Sequence, residues 1–146
     1  MSGGAGLRPG SLETERRLLQ AAVALGCLVP LLAGAVGMIE GPGFLKGVGD
    51  SSPTDLDSHF RYLSGLLLAI GIAFASCIPG IERKTSRIRL LALIVFVGGL
   101  GRLYALARTG VPGMGHVFGL AMELGTVPLL ALWQARVAAQ RTRADG

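Results

Sequence analysis

Two ionisable side chains stand almost alone in apolar surroundings, Arg102 within VFVGGLGRLYALAR and Glu123 within MGHVFGLAMELG. An arginine keeps its proton at any accessible pH and only donates hydrogen bonds, whereas a carboxylate accepts them, so the two are natural partners wherever water is scarce. The connection TGVPGM is short and rich in Gly and Pro, which folds its flanking segments into antiparallel neighbours. Three kinds of chemistry suit such a pair. It can be a fixed ion pair that sets helix register. It can be a polar site that holds a small anionic or amphipathic solute. It can also be an acid/base site in which Glu123 moves a proton while Arg102 holds an anionic group.

Further polar residues fall at compatible depths. His116 precedes Glu123 by seven positions, which puts both on one helical face. Arg61 lies one turn into another apolar stretch, with His59 and Tyr62 beside it, and Glu40 closes a fourth. The candidate ligand-binding set is therefore Arg61, Tyr62, Arg102, His116 and Glu123, expected to converge in one half of a helical bundle whose other half is apolar. Interfacial placement is the plainer role for His59, Tyr104 and His116. No Ser/His/Asp order, H-E-x-x-H, CxxC, phosphate loop or dinucleotide fingerprint occurs, and no cofactor or metal site is expected. Cys27 and Cys77 read as small packing residues at different depths.

Such residues need elements to hold them. With 51% hydrophobic and 16% charged residues, the chain has the composition of an integral membrane protein. Its net charge of +5 is carried in short runs between apolar segments, with no aromatic-interleaved basic surface, which argues against nucleic acid as a partner. Four spans are expected, at about 18–39, 60–79, 88–108 and 114–134, each matching a hydrocarbon core of ~30 Å. The fold class is an all-α, up-down antiparallel four-helix bundle in the membrane. A cleaved signal peptide is disfavoured, because the first apolar run continues well past the length of a signal h-region.

Local signals refine the boundaries. Ser11, Thr14 and Glu15 can start a helix near Leu12, and Asp57 and Ser58 offer N-caps for a helix running from His59 or Phe60 to Ile78, stopped by Pro79 and Gly80. Pro30 and Pro128 each free a carbonyl one turn earlier, at Gly26 and Leu124. Small residues recur every fourth position as Gly115, Gly119 and Glu123, and as Arg61, Gly65, Ala69 and Ala73, with Gly98 and Gly99 below Arg102. These stripes suit close helix approach within the bundle, or to a second copy or membrane-complex partner. Trp133 suits the membrane interface. Residues 1–17 and 136–146 read as tails, with 1–10 and 140–146 lacking any apolar periodicity that could dock.

RYLSGLLLAIG at 61–71, GGLGRLYALARTGVPG at 98–113 and the single Glu123 of the last span together resemble a family of small bacterial four-span proteins, domain of unknown function 4345, which is distantly similar to DoxX-like membrane proteins. The resemblance covers about residues 20 to 135. It implies one membrane domain of unassigned activity with Arg61, Arg102 and Glu123 as motif positions. Through the DoxX-like link, it also implies redox or quinone-associated work.

The basic residues Arg8, Arg16 and Arg17, then Arg83, Lys84, Arg87 and Arg89, then Arg136, Arg141 and Arg143 all fall on one side of the four spans. The first loop holds Lys46 against Glu40, Asp50, Asp55 and Asp57. The positive-inside rule then places both termini in the cytoplasm of a bacterial cell, with the chain in the inner membrane. Reporter fusions at residues 48 and 146 check this. The first is expected to be active only in the periplasm and the second only in the cytoplasm, and a periplasm-active fusion at 146 would contradict the topology.

Overall fold

The computed structural model describes residues 9–45, 47–48 and 52–145. Helix α1 runs over Pro9–Glu40 and ends in a 3-10 turn, Gly41–Phe44. Helix α2 covers Thr54–Ala75, a second 3-10 turn covers Ile81–Arg83, and α3 covers Thr85–Thr109. The last rod is continuous in three parts: α4 over Met114–Ala121, a π-helical turn over Met122–Thr126, and α5 over Val127–Asp145. Four helical stretches, Gly10–Gly43, Thr54–Ala75, Thr85–Thr109 and Met114–Ala144, are long and apolar enough to cross a membrane. They form an all-α antiparallel bundle, as the hydropathy pattern implies.

At most 22% of any span's most apolar window is buried inside the protein, so the apolar side chains mostly point outward. Leu25, Leu32, Ile39, Leu129 and Leu132 are each about two-thirds exposed. A water-soluble chain would leave no such continuous apolar surface uncovered.

The buried core sits at one end. Leu19, Val23 and Cys27 of α1, Cys77 and Ile81 of the α2–α3 connection, Ile88 and Leu91 of α3, and Val137 of α5 form a single cluster. We call this the basic end, because the three arginine-rich segments meet there. Gln134, fully buried, donates to the Ile81 carbonyl at 2.8 Å and to Thr85 Oγ1 at 3.0 Å, while Gln20 donates to the Ile78 carbonyl at 2.8 Å. These amides tie the α2–α3 connection to α1 and α5, the Ile81 carbonyl accepting from Gln134 as well as from the Lys84 N–H. The half of the bundle expected to be apolar therefore carries its own polar ties. Trp133 packs against this core, and both cysteines belong to it. The expected difference in depth between them disappears because α2 stops at Ala75 and Cys77 folds back toward α1.

Several boundaries differ from the sequence reading, each for a local reason. Helix α1 begins at Pro9, three residues before the start expected near Leu12, and α5 continues to Asp145, so residues 136–145 are helical where a tail was expected. Ion pairs join the two ends, Glu13 with Arg141 at 4.0 Å and Glu15 with Arg136 at 3.6 Å, while Glu13 also pairs with Arg16 and Arg17 of its own helix at 2.8 and 3.0 Å. Residues 1–8 and 146 lie outside the described residues. Helix α2 starts at Thr54, five residues before His59, and Asp57 is not its cap but sits inside its first turns, paired with Arg61. At its other end Ser76 Oγ donates to the Ala73 carbonyl at 2.7 Å and the chain turns before Pro79, passing through Gly80 at φ 63°, a left-handed value that glycine adopts without steric cost.

The seam between α1 and α2 is closed through glycine. A Cβ on Gly34 would lie 2.6 Å from the Leu68 backbone nitrogen, and one on Gly71 would lie 3.1 Å from the Leu31 side chain. Gly26, on the same helix as Gly34, has nothing within 4 Å of its Cβ position. Gly34→Ala is therefore expected to destabilise the protein by about 1–3 kcal/mol, the usual cost of overpacking. Gly26→Ala is expected to be neutral or stabilising by up to about 1 kcal/mol, from helix propensity. Melting temperatures of the two variants in the same detergent check the contrast.

Candidate functional site

Helix α3 brings Arg102 to the turn of the last rod that carries Glu123. Arg102 Nε donates to Glu123 Oε2 at 3.0 Å and Nη2 donates to Oε1 at 3.1 Å, the two-pronged geometry in which a guanidinium matches a carboxylate. Arg102 Nη1 lies 2.7 Å from His116 Nδ1. A guanidinium only donates, so His116 Nδ1 must be the acceptor, which makes the imidazole neutral with its proton on Nε2. The side chains of Arg102 and Glu123 are 33% and 19% exposed, so the carboxylate is the more enclosed of the two. The expected pair forms, and the expected face of the last rod delivers His116 to it.

A glycine brings the two elements together. A Cβ on Gly99 would lie 2.7 Å from Leu124 Cδ2 and 3.0 Å from Glu123 Cβ, so α3 reaches the last rod closely here because Gly99 has no side chain. Gly119, one turn before Glu123, lies beneath the guanidinium, its Cβ position 3.7 Å from Arg102 Cζ. Gly98 and Gly115, which belong to the same sequence stripes, face open space.

Glu123 sits in the π-helical turn, where the Val127 N–H bonds back to the Met122 carbonyl. Pro128 explains the turn. It has no N–H to give to Leu124, and its ring crowds that carbonyl, so widening the helix by one residue relieves the clash. The sequence pointed to a freed carbonyl at Leu124, one turn before Pro128, and the outcome is a π-turn that sets the direction of Glu123. Single π-turns of this kind are frequent at functional sites.

The other candidates lie elsewhere. Arg61 donates from Nε and Nη2 to Asp57 at 2.8 and 3.2 Å, and from Nη1 to the Met38 and Ile39 carbonyls at 2.9 and 2.6 Å. It closes the C-terminal end of α1, supplying partners for carbonyls that a helix end leaves unpaired. Tyr62 is 63% exposed, with its ring centroid 6.5 Å from that of His59. Tyr104 is 68% exposed. Of the five candidates, Arg102, His116 and Glu123 come together, and Arg61 and Tyr62 belong to the α1–α2 hairpin. Among the described residues, α4 packs chiefly on α3, and no group of three or more His, Cys, Asp or Glu is arranged to hold a metal ion.

The cluster has donors to spare. A guanidinium carries five N–H bonds. Three are engaged here, two with Glu123 and one with His116, which leaves two to donate. This arrangement can receive an anionic oxygen without giving up the internal pair.

A family model, Domain of unknown function (DUF4345), matches residues 18–134. No curated protein and no solved structure matches the chain.

Replacing either partner separates the two halves of the pair unequally. Glu123→Gln leaves a cation that cannot shed its charge, whereas Arg102→Gln leaves a carboxylate that can take up a proton. Glu123→Gln is therefore expected to cost more, about 3 kcal/mol, and the double variant is expected to recover much of the loss, since two amides still hydrogen-bond. Melting temperatures of the four forms complete a double-mutant cycle, and additive losses would show that the residues do not interact.

Proposed function

Because the chain belongs to the DUF4345 family, which carries no assigned activity, the function must be argued from the site, and we propose that this is a small multi-pass accessory protein of the bacterial inner membrane. On this reading both termini are cytoplasmic, and the Arg102–His116–Glu123 cluster lies in the outer half of the bilayer. There it takes the anionic group of a small amphipathic solute. The observation that carries the reading is the engaged but unsaturated guanidinium: Arg102 is neutralised by Glu123 and, after its contact with His116, still has two N–H bonds to donate. An ionisable cluster within an apolar span is a functional candidate by default, because its desolvation has to be offset. The lipid bilayer is the first partner, and the exposed glycines Gly98 and Gly115 offer surfaces for a second copy or a membrane-complex subunit.

A second reading rests on the completeness of the same pair. Arg102 and Glu123 satisfy each other with two bonds, which is also what a purely structural clamp between α3 and the last rod would show.

Ligand-dependent stabilisation separates the two. A ligand at one hundred times its Kd raises stability by about 2.7 kcal/mol, which is large on a melting curve. The detergent-solubilised protein can be screened against small carboxylates, phosphate esters and short-chain quinones. A stabilising hit that disappears in the Arg102→Gln, Glu123→Gln double variant is the expected outcome for a binding site. Melting temperatures unmoved by every probe would favour the clamp.

A further inference from the structure

At the basic end, away from the Arg102 cluster, α3 and α5 leave between them a groove of about 300 Å³, open to the outside. The volume is within the range of small-ligand sites. Its residues fall on one face of each helix: Arg89, Ala92, Leu93 and Phe96 on α3, and Pro128, Ala131 and Leu132 on α5. The groove exists because Ala92, Pro128 and Ala131 are small where larger residues would meet. It is apolar along its length and carries one charge, Arg89. Seven residues separate Arg89 from Phe96, so the apolar stretch extends roughly 10 Å along the helix from the charged mouth.

The charges around the mouth are unbalanced. Arg16, Arg17, Arg136 and Arg141 at this end pair with Glu13, Glu15 or Glu82. Among the described residues Arg83, Arg87 and Arg89 make no ion pair, and all three are exposed. An exposed cation at the mouth of an apolar trough parallel to the helices matches an amphiphile with one anionic head and a hydrocarbon tail. A second copy of the chain fits poorly, because two copies inserted the same way bring their basic ends together.

We propose that the α3–α5 groove binds an anionic glycerophospholipid, with its phosphate against Arg89 and an acyl chain lying along Ala92, Phe96, Pro128 and Ala131. The proposal rests on membrane insertion. It does not depend on the role of the Arg102 cluster, nor on which leaflet faces the basic end.

Native mass spectrometry of the full-length chain in detergent tests it, by titration with phosphatidylglycerol, phosphatidylcholine and a free fatty acid of matched acyl chains. Wild type is expected to retain one phosphatidylglycerol about fivefold more tightly than phosphatidylcholine, the gain of one arginine near an anionic headgroup. Arg89→Gln is expected to abolish that preference, while Arg108→Gln, at the opposite end of α3, is expected to keep it. Leu132→Trp, at an exposed groove wall, is expected to weaken retention of both phospholipids by filling the trough, and it keeps the test decisive if Arg89→Gln fails to fold. Equal retention of the two phospholipids by wild type would overturn the proposal. So would an undiminished preference in Arg89→Gln, unchanged retention in Leu132→Trp, or a fatty acid displacing the phospholipid. Cytoplasm-active fusions at both 48 and 146 would instead remove membrane insertion itself.

Discussion

A guanidinium that cannot lose its charge has been placed two turns inside an apolar helix, and much of the α3–α4 hairpin is a response to that constraint. Neutralising Arg102 within hydrogen-bond distance requires the last rod to approach α3 closely, which Gly99 allows by leaving room for Leu124 and the Glu123 Cβ. It requires a short antiparallel connection, which the Gly110–Gly113 segment supplies. It also requires the carboxylate to point at α3, and here the π-turn sets the direction. Each feature is ordinary alone, and they are consistent only because one charge has to be met.

The two ends of the bundle solve different problems. At the basic end the helices pack on one another, and buried amides tie the α2–α3 connection to α1 and α5. Glu82 Oε2 and Gln134 Oε1 remain buried there without hydrogen-bond partners, with Arg16 Nη1 4.0 Å from the Glu82 oxygen. Toward the far end the contacts are mainly within hairpins: α1 with α2 through glycine and the Arg61 cap, and α3 with α4 through the Arg102 cluster. Each hairpin thus uses one arginine, but differently. Arg61 is spent on helix-end carbonyls, and Arg102 on a carboxylate with donors left over.

This difference marks the limit of what the sequence showed. The four spans, the Arg102–Glu123 pair and the shared face with His116 were legible because each is dictated by hydropathy, loop length or helical spacing. The gathering of Arg61 and Tyr62 into the same site was not supported, because depth along a span says nothing about the direction in which a side chain leaves it. The signal that separates Arg61 was present: Asp57 lies four residues earlier, in reach on the same helix, and a nearby acid competes for an arginine before a distant one can. The helical extension of α5 was missed for a related reason. Glu13, Glu15, Arg136 and Arg141 look like solvated tail residues until the rods are set side by side and their charges alternate across the gap. The Gly34 seam was visible in the spacing of Gly34, Gly37 and Gly41, three and four residues apart, and it needed only the recognition that the stripe on the first span could face the second.

Pro128 joins the polar site to the groove farther along the same rod. Its missing N–H and its ring account for the π-turn that directs Glu123 at Arg102, and its compact side chain lines the groove below Arg89. Widening a helix by one residue rotates its later turns relative to its earlier ones, so the direction of Glu123 and the register of Ala131 and Leu132 against α3 are set together. Any change that restored regular α-helical bonding through Met122–Thr126 would have to turn one face or the other. The carboxylate would leave the guanidinium, or the α5 wall of the groove would turn away from α3. The two features lie at different depths of the bundle and involve different chemistry, yet a single backbone irregularity holds both in place.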